Sequence, residues 1–179
     1  AKSKEYGADG FIVVDLPPEE GAELAKCCNK YGLSNIPLIA PTTTDARIEH
    51  LAKTASTFIY CVSTTGVTGA RSALPSDLGE FIERVRSKTD LPLAVGFGIS
   101  TPVIVNRLAK IGDGGVVGSA ILKAVQAAGN STGERVEAGK RSVSELSAGC
   151  KQGADAANQA KILGRKPEME VWDQLAASH

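Results

Sequence analysis
Three glycine-bearing turns hold the residues best suited to chemistry: Gly66-Val67-Thr68-Gly69, Gly96-Phe97-Gly98-Ile99-Ser100 and Gly118-Ser119. Each follows a short apolar run. Glycine lets an anion approach backbone N–H groups closely. A helix beginning just after Gly118 would aim its positive end at the same place. Any one of these glycines alone reads as an ordinary turn. Three of them, at the carboxyl ends of successive strands, read as a phosphate cradle. Neither G-x-x-x-x-G-K-[ST] nor G-x-G-x-x-G is present, so a nucleotide is not indicated. Two more side chains sit at strand ends, Asp15 and Tyr60. Asp15, just before Pro17 and Pro18, reads equally as a cap for the next helix. Tyr60 has a core aromatic as its plain alternative, and Thr68 a loop hydroxyl.

Composition excludes several classes. Twenty basic and twenty acidic residues balance, which is no footprint for nucleic acid. No apolar run approaches the roughly 20 residues needed to span a bilayer, and no apolar signal segment follows the amino terminus. Cys27 and Cys28 are adjacent, with Cys61 and Cys150 far away, so no C-x2-C metal pair exists. Free thiols in a reducing cytosol are expected. With 42% hydrophobic residues the chain can bury one core.

The elements that must position these residues alternate. Strands are expected at 11–16 (FIVVDL), 36–40 (IPLIA), 57–62 (TFIYCV), 91–96 (LPLAVG) and 114–118 (GGVVG). Helices follow each. The first has Glu19 and Glu20 in its first turn, Leu24, Cys28 and Tyr31 on one face, and Gly32 as its stop. The second, capped at Thr44 or Asp45, turns Ile48, Leu51, Ala52 and Ala55 inward. The third has Ser76 as cap and Leu78, Phe81, Ile82 and Val85 as its buried stripe. The fourth buries Ile104, Leu108 and Ile111, and the fifth begins near Ser119. Five consecutive βα units imply a parallel sheet. An open doubly wound sheet and part of a barrel both fit. A complete (βα)8 barrel takes about 250 residues. One more helix is expected at 132–148, with Val136, Val143 and Leu146 apolar, and residues 149–179 read as a linker or appended tail.

The strings VDLPPEE, PLIAPTTTD, FIYCVSTTGVTGAR, PLAVGFGIST and VVGSAI follow one another across residues 5–128. In that order and spacing they resemble the tryptophan synthase α chain, and PPEE and PTTTD look most like the fungal type fused to a β domain. The resemblance implies an α/β fold, a partial TIM barrel of strands four to eight over residues 1–148. It implies a cytoplasmic lyase of tryptophan biosynthesis that cleaves indole-3-glycerol phosphate to indole and glyceraldehyde 3-phosphate. By the same resemblance, Gly69, Gly98, Gly118 and Ser119 meet the phosphate. Phe97 flanks the indole ring, and Tyr60 lies near the reacting end. Thr68 rides the closing loop, and Asp15 shapes the pocket. The implied partner is the β chain or fused β domain, which carries pyridoxal phosphate; no cofactor is implied here.

The reaction needs a carboxylate base and a second acid. In the family these are a glutamate ending the second strand and an aspartate in the loop after it. A chain beginning at the fourth strand has neither position, so no catalytic residue is assigned. Glu49, beside His50 on a helix, reads as a solvated surface group. Two alternatives stand beside this reading. One is another phosphate-binding TIM-barrel enzyme. The other is a non-catalytic fragment that binds a phosphorylated ligand or a partner chain. Unpaired edge strands would leave the isolated chain marginally stable.

Overall fold
The computed structural model describes residues 1–14, 16, 17, 19–63, 77–96 and 98–162 of the 179. A single helical turn, α1 (Lys2–Glu5), leads into β1 (Gly10–Ile12). Then come α2 (Ala22–Tyr31), β2 (Ser34–Ile36), β3 (Leu38–Ile39), α3 (Asp45–Thr54), β4 (Ile59–Val62) and α4 (Leu78–Arg86). The chain continues through β5 (Leu93–Gly96), α5 (Pro102–Leu108), β6 (Gly114–Val116), α6 (Ser119–Ala127) and α7 (Thr132–Ile162).

Every strand pairing is parallel and runs in chain order: β1 with β2, then β3–β4–β5–β6. The expected strand 36–40 is therefore two pieces. Pro37 divides it, because proline has no N–H to give a ladder. Its carbonyl still accepts from the Tyr60 N–H at 3.0 Å. Before Pro37 the chain pairs with β1, and after it with β4.

Burial separates two faces of the central strands. Ile39, Ile59, Cys61, Leu93 and Val95 are fully buried against the helices. They meet Ile48 and Leu51 of α3, Leu78, Phe81, Ile82 and Val85 of α4, and Ile104, Val105 and Leu108 of α5. These stripes are the ones that helical periodicity selects. Alternation puts Tyr60, Val62, Ala94, Gly96, Gly114 and Val116 on the other face.

The edge strands differ from the expectation of cover on both faces. β1 is three residues long rather than six, and Ile12 and Val14 are 44% and 66% exposed. Val116 on β6 is also exposed. No second neighbour flanks either strand among the described residues, so their apolar side chains lack one wall. α2 begins at Ala22, after a turn in which the Pro17 carbonyl accepts from Glu20 and Gly21. Glu23, not Glu19 or Glu20, thus occupies its first turn. Only Cys28 of its expected face is buried, because α2 covers a sheet just two strands wide. Gly32 ends it at φ 60°.

A urea melt of the dilute monomer is accordingly expected to be broad, with the β1–α2–β2 edge opening before the β3–β6 core. One steep transition seen alike by far-ultraviolet dichroism and by hydrogen exchange at both places would contradict this.

α7 has a capping box. The Ser131 hydroxyl oxygen accepts from the Glu134 N–H at 3.2 Å, and the Glu134 carboxylate accepts from the Ser131 N–H at 3.1 Å. The Ser131 hydroxyl also donates to the Glu134 carboxylate at 2.7 Å, and this bond first, then that of the Ser131 N–H, lowers the Glu134 pKa. The helix does not stop at 148 but runs on to Ile162, crossing the boundary expected there. Its inward side beyond that point is Gly149, Gly153 and Ala157, which carry too little hydropathy to betray a packed face.

Candidate functional site
The site is built from register. Gly96 pairs with Val116, and Gly98 and Gly118 each lie two residues beyond that pair. Because β5 and β6 are parallel neighbours, both turns emerge at the same end of the sheet. Gly98 has φ +78°, the left-handed region that a side chain resists. Ile99 then turns inward to the core, where its Cδ1 lies 3.8 Å from the position of a Cβ on Gly115. Thr101 caps α5, its hydroxyl oxygen accepting from the Ile104 N–H at 3.3 Å, with Pro102 in the first turn.

Gly118 stands at the N-terminus of α6, and its carbonyl accepts from Ile121 and Leu122. A Cβ placed there would meet nothing within 4 Å, so the space before it is open. Ser119 opens the helix. The arrangement offers an anion the N–H groups of a helix start beside a glycine turn on the neighbouring strand.

Tyr60 lies on the face opposite the helix-packed core and is only 8% exposed. Its phenol crosses β5 at Gly96, where a Cβ would overlap both the hydroxyl oxygen and the ring. Burial raises its pKa, so it stays a neutral hydroxyl at neutral pH. Ser63 is buried just beyond β4, and its N–H donates to the Gly96 carbonyl at 3.0 Å. That bond ties the ends of β4 and β5 together.

Of the residues singled out in the sequence, Gly98, Gly118 and Ser119 share this end of the sheet; Tyr60 does not end its strand but is the second residue of β4, level with Ala94, and only its phenol reaches up to Gly96. Asp15, Thr68, Gly69 and Phe97 lie outside the described residues. Sequence reading named Gly96 only as part of a turn, without its contact to Tyr60, and missed Ser63 as a contributor. The available signal was the run of small residues Ala94, Gly96 and Gly114 on the face that carries Tyr60.

The acids of α3 are engaged elsewhere. Lys88 donates to Glu49 at 2.8 Å, and Arg84 pairs with Asp45 at 3.0 Å. Arg84 also donates to the Thr43 and Pro41 carbonyls at 2.8 and 2.7 Å, holding the loop between β3 and α3. His50 is exposed, on a groove between α2 and α3 lined also by Val14, Ile36 and Arg47. Among the described residues no cluster of three His, Cys, Asp or Glu side chains could hold a metal ion. No helix there is long and apolar enough to cross a membrane.

Comparison with known proteins identifies the family and the fold. The family model for the tryptophan synthase alpha chain matches residues 1–151. The tryptophan synthase alpha chain of Roseiflexus sp. (strain RS-1) is 51% identical over 124 residues, covering 69% of this chain and 48% of that protein. Tryptophan synthase of Saccharomyces cerevisiae is 52% identical over 117 residues, covering 65% of this chain and 16% of that one. Among solved structures, a Mycobacterium tuberculosis tryptophan synthase superposes with TM-score 0.71 at 31% identity, covering 83% of this chain and 54% of that chain. The tryptophan synthase α2β2 complex of Pyrococcus furiosus gives TM-score 0.72 at 34% identity, with 83% and 59% covered. The chain spans about half the length of the alpha-chain relatives it matches.

Proposed function
The chain belongs to the tryptophan synthase alpha-chain family, and from that premise we propose that its strand-end turns hold indole-3-glycerol phosphate for cleavage to indole and glyceraldehyde 3-phosphate. The observation that carries the reading is the equal offset of Gly98 and Gly118 beyond one paired level of the sheet, with Tyr60 laid across Gly96 beside them.

In this reading the phosphate rests on N–H groups of the turns at Gly98 and Gly118, with Ser119 adding a hydroxyl and Gly69 closing from the third turn. Tyr60, neutral and fixed by its packing, offers a hydroxyl near the reacting end of the glycerol chain. Phe97 flanks the indole ring, Thr68 belongs to the closing loop, and Asp15 shapes the pocket wall. The strands correspond to strands four to eight of the family barrel. Retro-aldol cleavage moves a proton onto the indole ring as the carbon–carbon bond breaks, which calls for carboxylates. The family's two carboxylates fall on the second strand and the loop after it, outside these 179 residues. On this reading these 179 residues supply the phosphate-binding end of the site, and cleavage depends on those carboxylates. A β chain or fused β domain would consume the indole on pyridoxal phosphate, and the setting would be the cytoplasm.

Two measurements test this. Titration with inorganic phosphate should shift the backbone amide resonances of Gly98, Gly118 and Ser119 together. An indole-release assay should be silent for the chain alone and active once the three amino-terminal βα units of a relative are added. Steady indole production by the chain alone would refute the assignment of the acids elsewhere, and unmoved amides would refute the cradle.

A further inference from the structure
We infer that the carboxyl-terminal half of α7 is the support that fixes the anion-facing end of α5, with Gly149 as its positioning residue. The inference rests on the reading above that the turn before α5 faces a phosphate.

α5 has only seven residues, too few to hold its own shape without packing. Ile104, Val105 and Leu108 anchor one side of it in the core. The other side meets α7, its most extensive helix partner. At Gly149 a Cβ would collide with the Pro102 carbonyl oxygen and lie 3.0 and 3.1 Å from the Pro102 C and Cα. All three are backbone atoms, which cannot swing aside as a side chain can. Pro102 is in the first turn of α5, next to the Thr101 cap and four residues after Gly98. The separation of α7 from α5 is thus set at the level of the proposed anion turn.

One helical turn further on, a Cβ at Gly153 would collide with the Asn106 carbonyl and lie 2.9 Å from the Ala109 Cβ. Ala157, another turn on, is buried. Gly149, Gly153 and Ala157 recur at every fourth residue, so one face of α7 follows α5 downward from its N-terminus. Gly153 and Ala157 lie beyond residue 151, where the family match ends.

The two glycines make different demands, and this separates positioning from packing. Gly149→Ala must push on the first turn of α5, whereas Gly153→Ala pushes where α5 is already ending. Both variants should lose stability. Inorganic phosphate should bind about tenfold more weakly to Gly149→Ala and within about twofold of normal to Gly153→Ala. Exchange of the Ile104 amide, which reports the Thr101 cap, should accelerate in the first variant and not in the second. Equal effects in both variants, or none in the first, would overturn the inference. Absence of phosphate binding in the unaltered chain would instead sink the reading under the proposed function, and the Ile104 amide would still judge the support. Should Gly149→Ala fail to fold, the unaltered chain decides. The Ile104 amide and the amides of residues 149–157 must then open with one common protection factor, and an Ile104 amide that stays protected while that stretch opens contradicts the inference.

Discussion
Gly96→Ala will be among the most damaging single methyl additions to this protein, and Tyr60→Ala will relieve it. The new Cβ would fall within the volume of the Tyr60 phenol, overlapping its hydroxyl oxygen and ring. Tyr60 cannot withdraw freely, because it is 8% exposed and sits in a central strand paired on both sides. Overpacking of this kind costs about 1–3 kcal/mol. Tyr60→Ala alone removes a buried aromatic and costs about 3–5 kcal/mol. The double variant leaves the new methyl in the space the ring vacated. Its loss should fall short of the sum by more than about 1 kcal/mol, as expected for residues in contact. Urea midpoints of the four proteins give that coupling directly, and additive losses would show that Tyr60 does not lie over Gly96. On the proposed function, inorganic phosphate should bind normally to Tyr60→Ala, since the ring is assigned to the reacting end and not to the phosphate.

Much of the scaffold was legible because burial on the helices follows period. Ile48 and Leu51, the stripe from Leu78 to Val85, and Ile104 with Leu108 all appear in the core that their spacing implies. The parallel, chain-ordered sheet follows from strands that alternate with helices. What escaped had physical causes. Pro37 sits within an apolar run that hydropathy reads as unbroken, and only hydrogen-bond accounting divides it. Tyr31 has the spacing of a buried residue but stands 38% exposed, because burial needs a partner surface as well as a pattern. α7 beyond residue 148 was hidden because Gly149, Gly153 and Ala157 pack by being small, and small residues give a weak apolar signal. At the site, the glycine turns were visible as strings, but the pairing of Gly96 with Val116 and the path of Tyr60 over Gly96 depend on register between strands. Asp15, Thr68, Gly69 and Phe97 remain expectations drawn from the family resemblance.

The second large effect is alkaline and belongs to Cys61. This residue has 0% exposure in the middle of β4, packed in the core with Ile59 and Val95. Burial raises its thiol from 9.0 to about 12; Arg86 pulls the other way and Asp113 adds to the rise. The folded protein therefore holds its proton more tightly than the unfolded chain does. Below pH 9 both states keep the proton, and the full stabilisation is present. Above pH 9 the unfolded chain releases it while the folded protein does not, so stability falls until the pH passes 12. A difference of one pH unit in pKa is worth about 1.4 kcal/mol, so the window from pH 9 to 12 should remove on the order of 4 kcal/mol. Other groups titrate there too, Tyr60 among them, so the comparison must be with Cys61→Val, which is apolar and about one methyl larger but has no thiol proton, each protein being referred to its own stability at pH 8. Unfolding free energy measured from pH 8 to pH 11 should fall more steeply in the unaltered protein than in the variant. Parallel slopes would mean that the thiol is not shut away from water, and that β4 does not lie sealed beneath its helices.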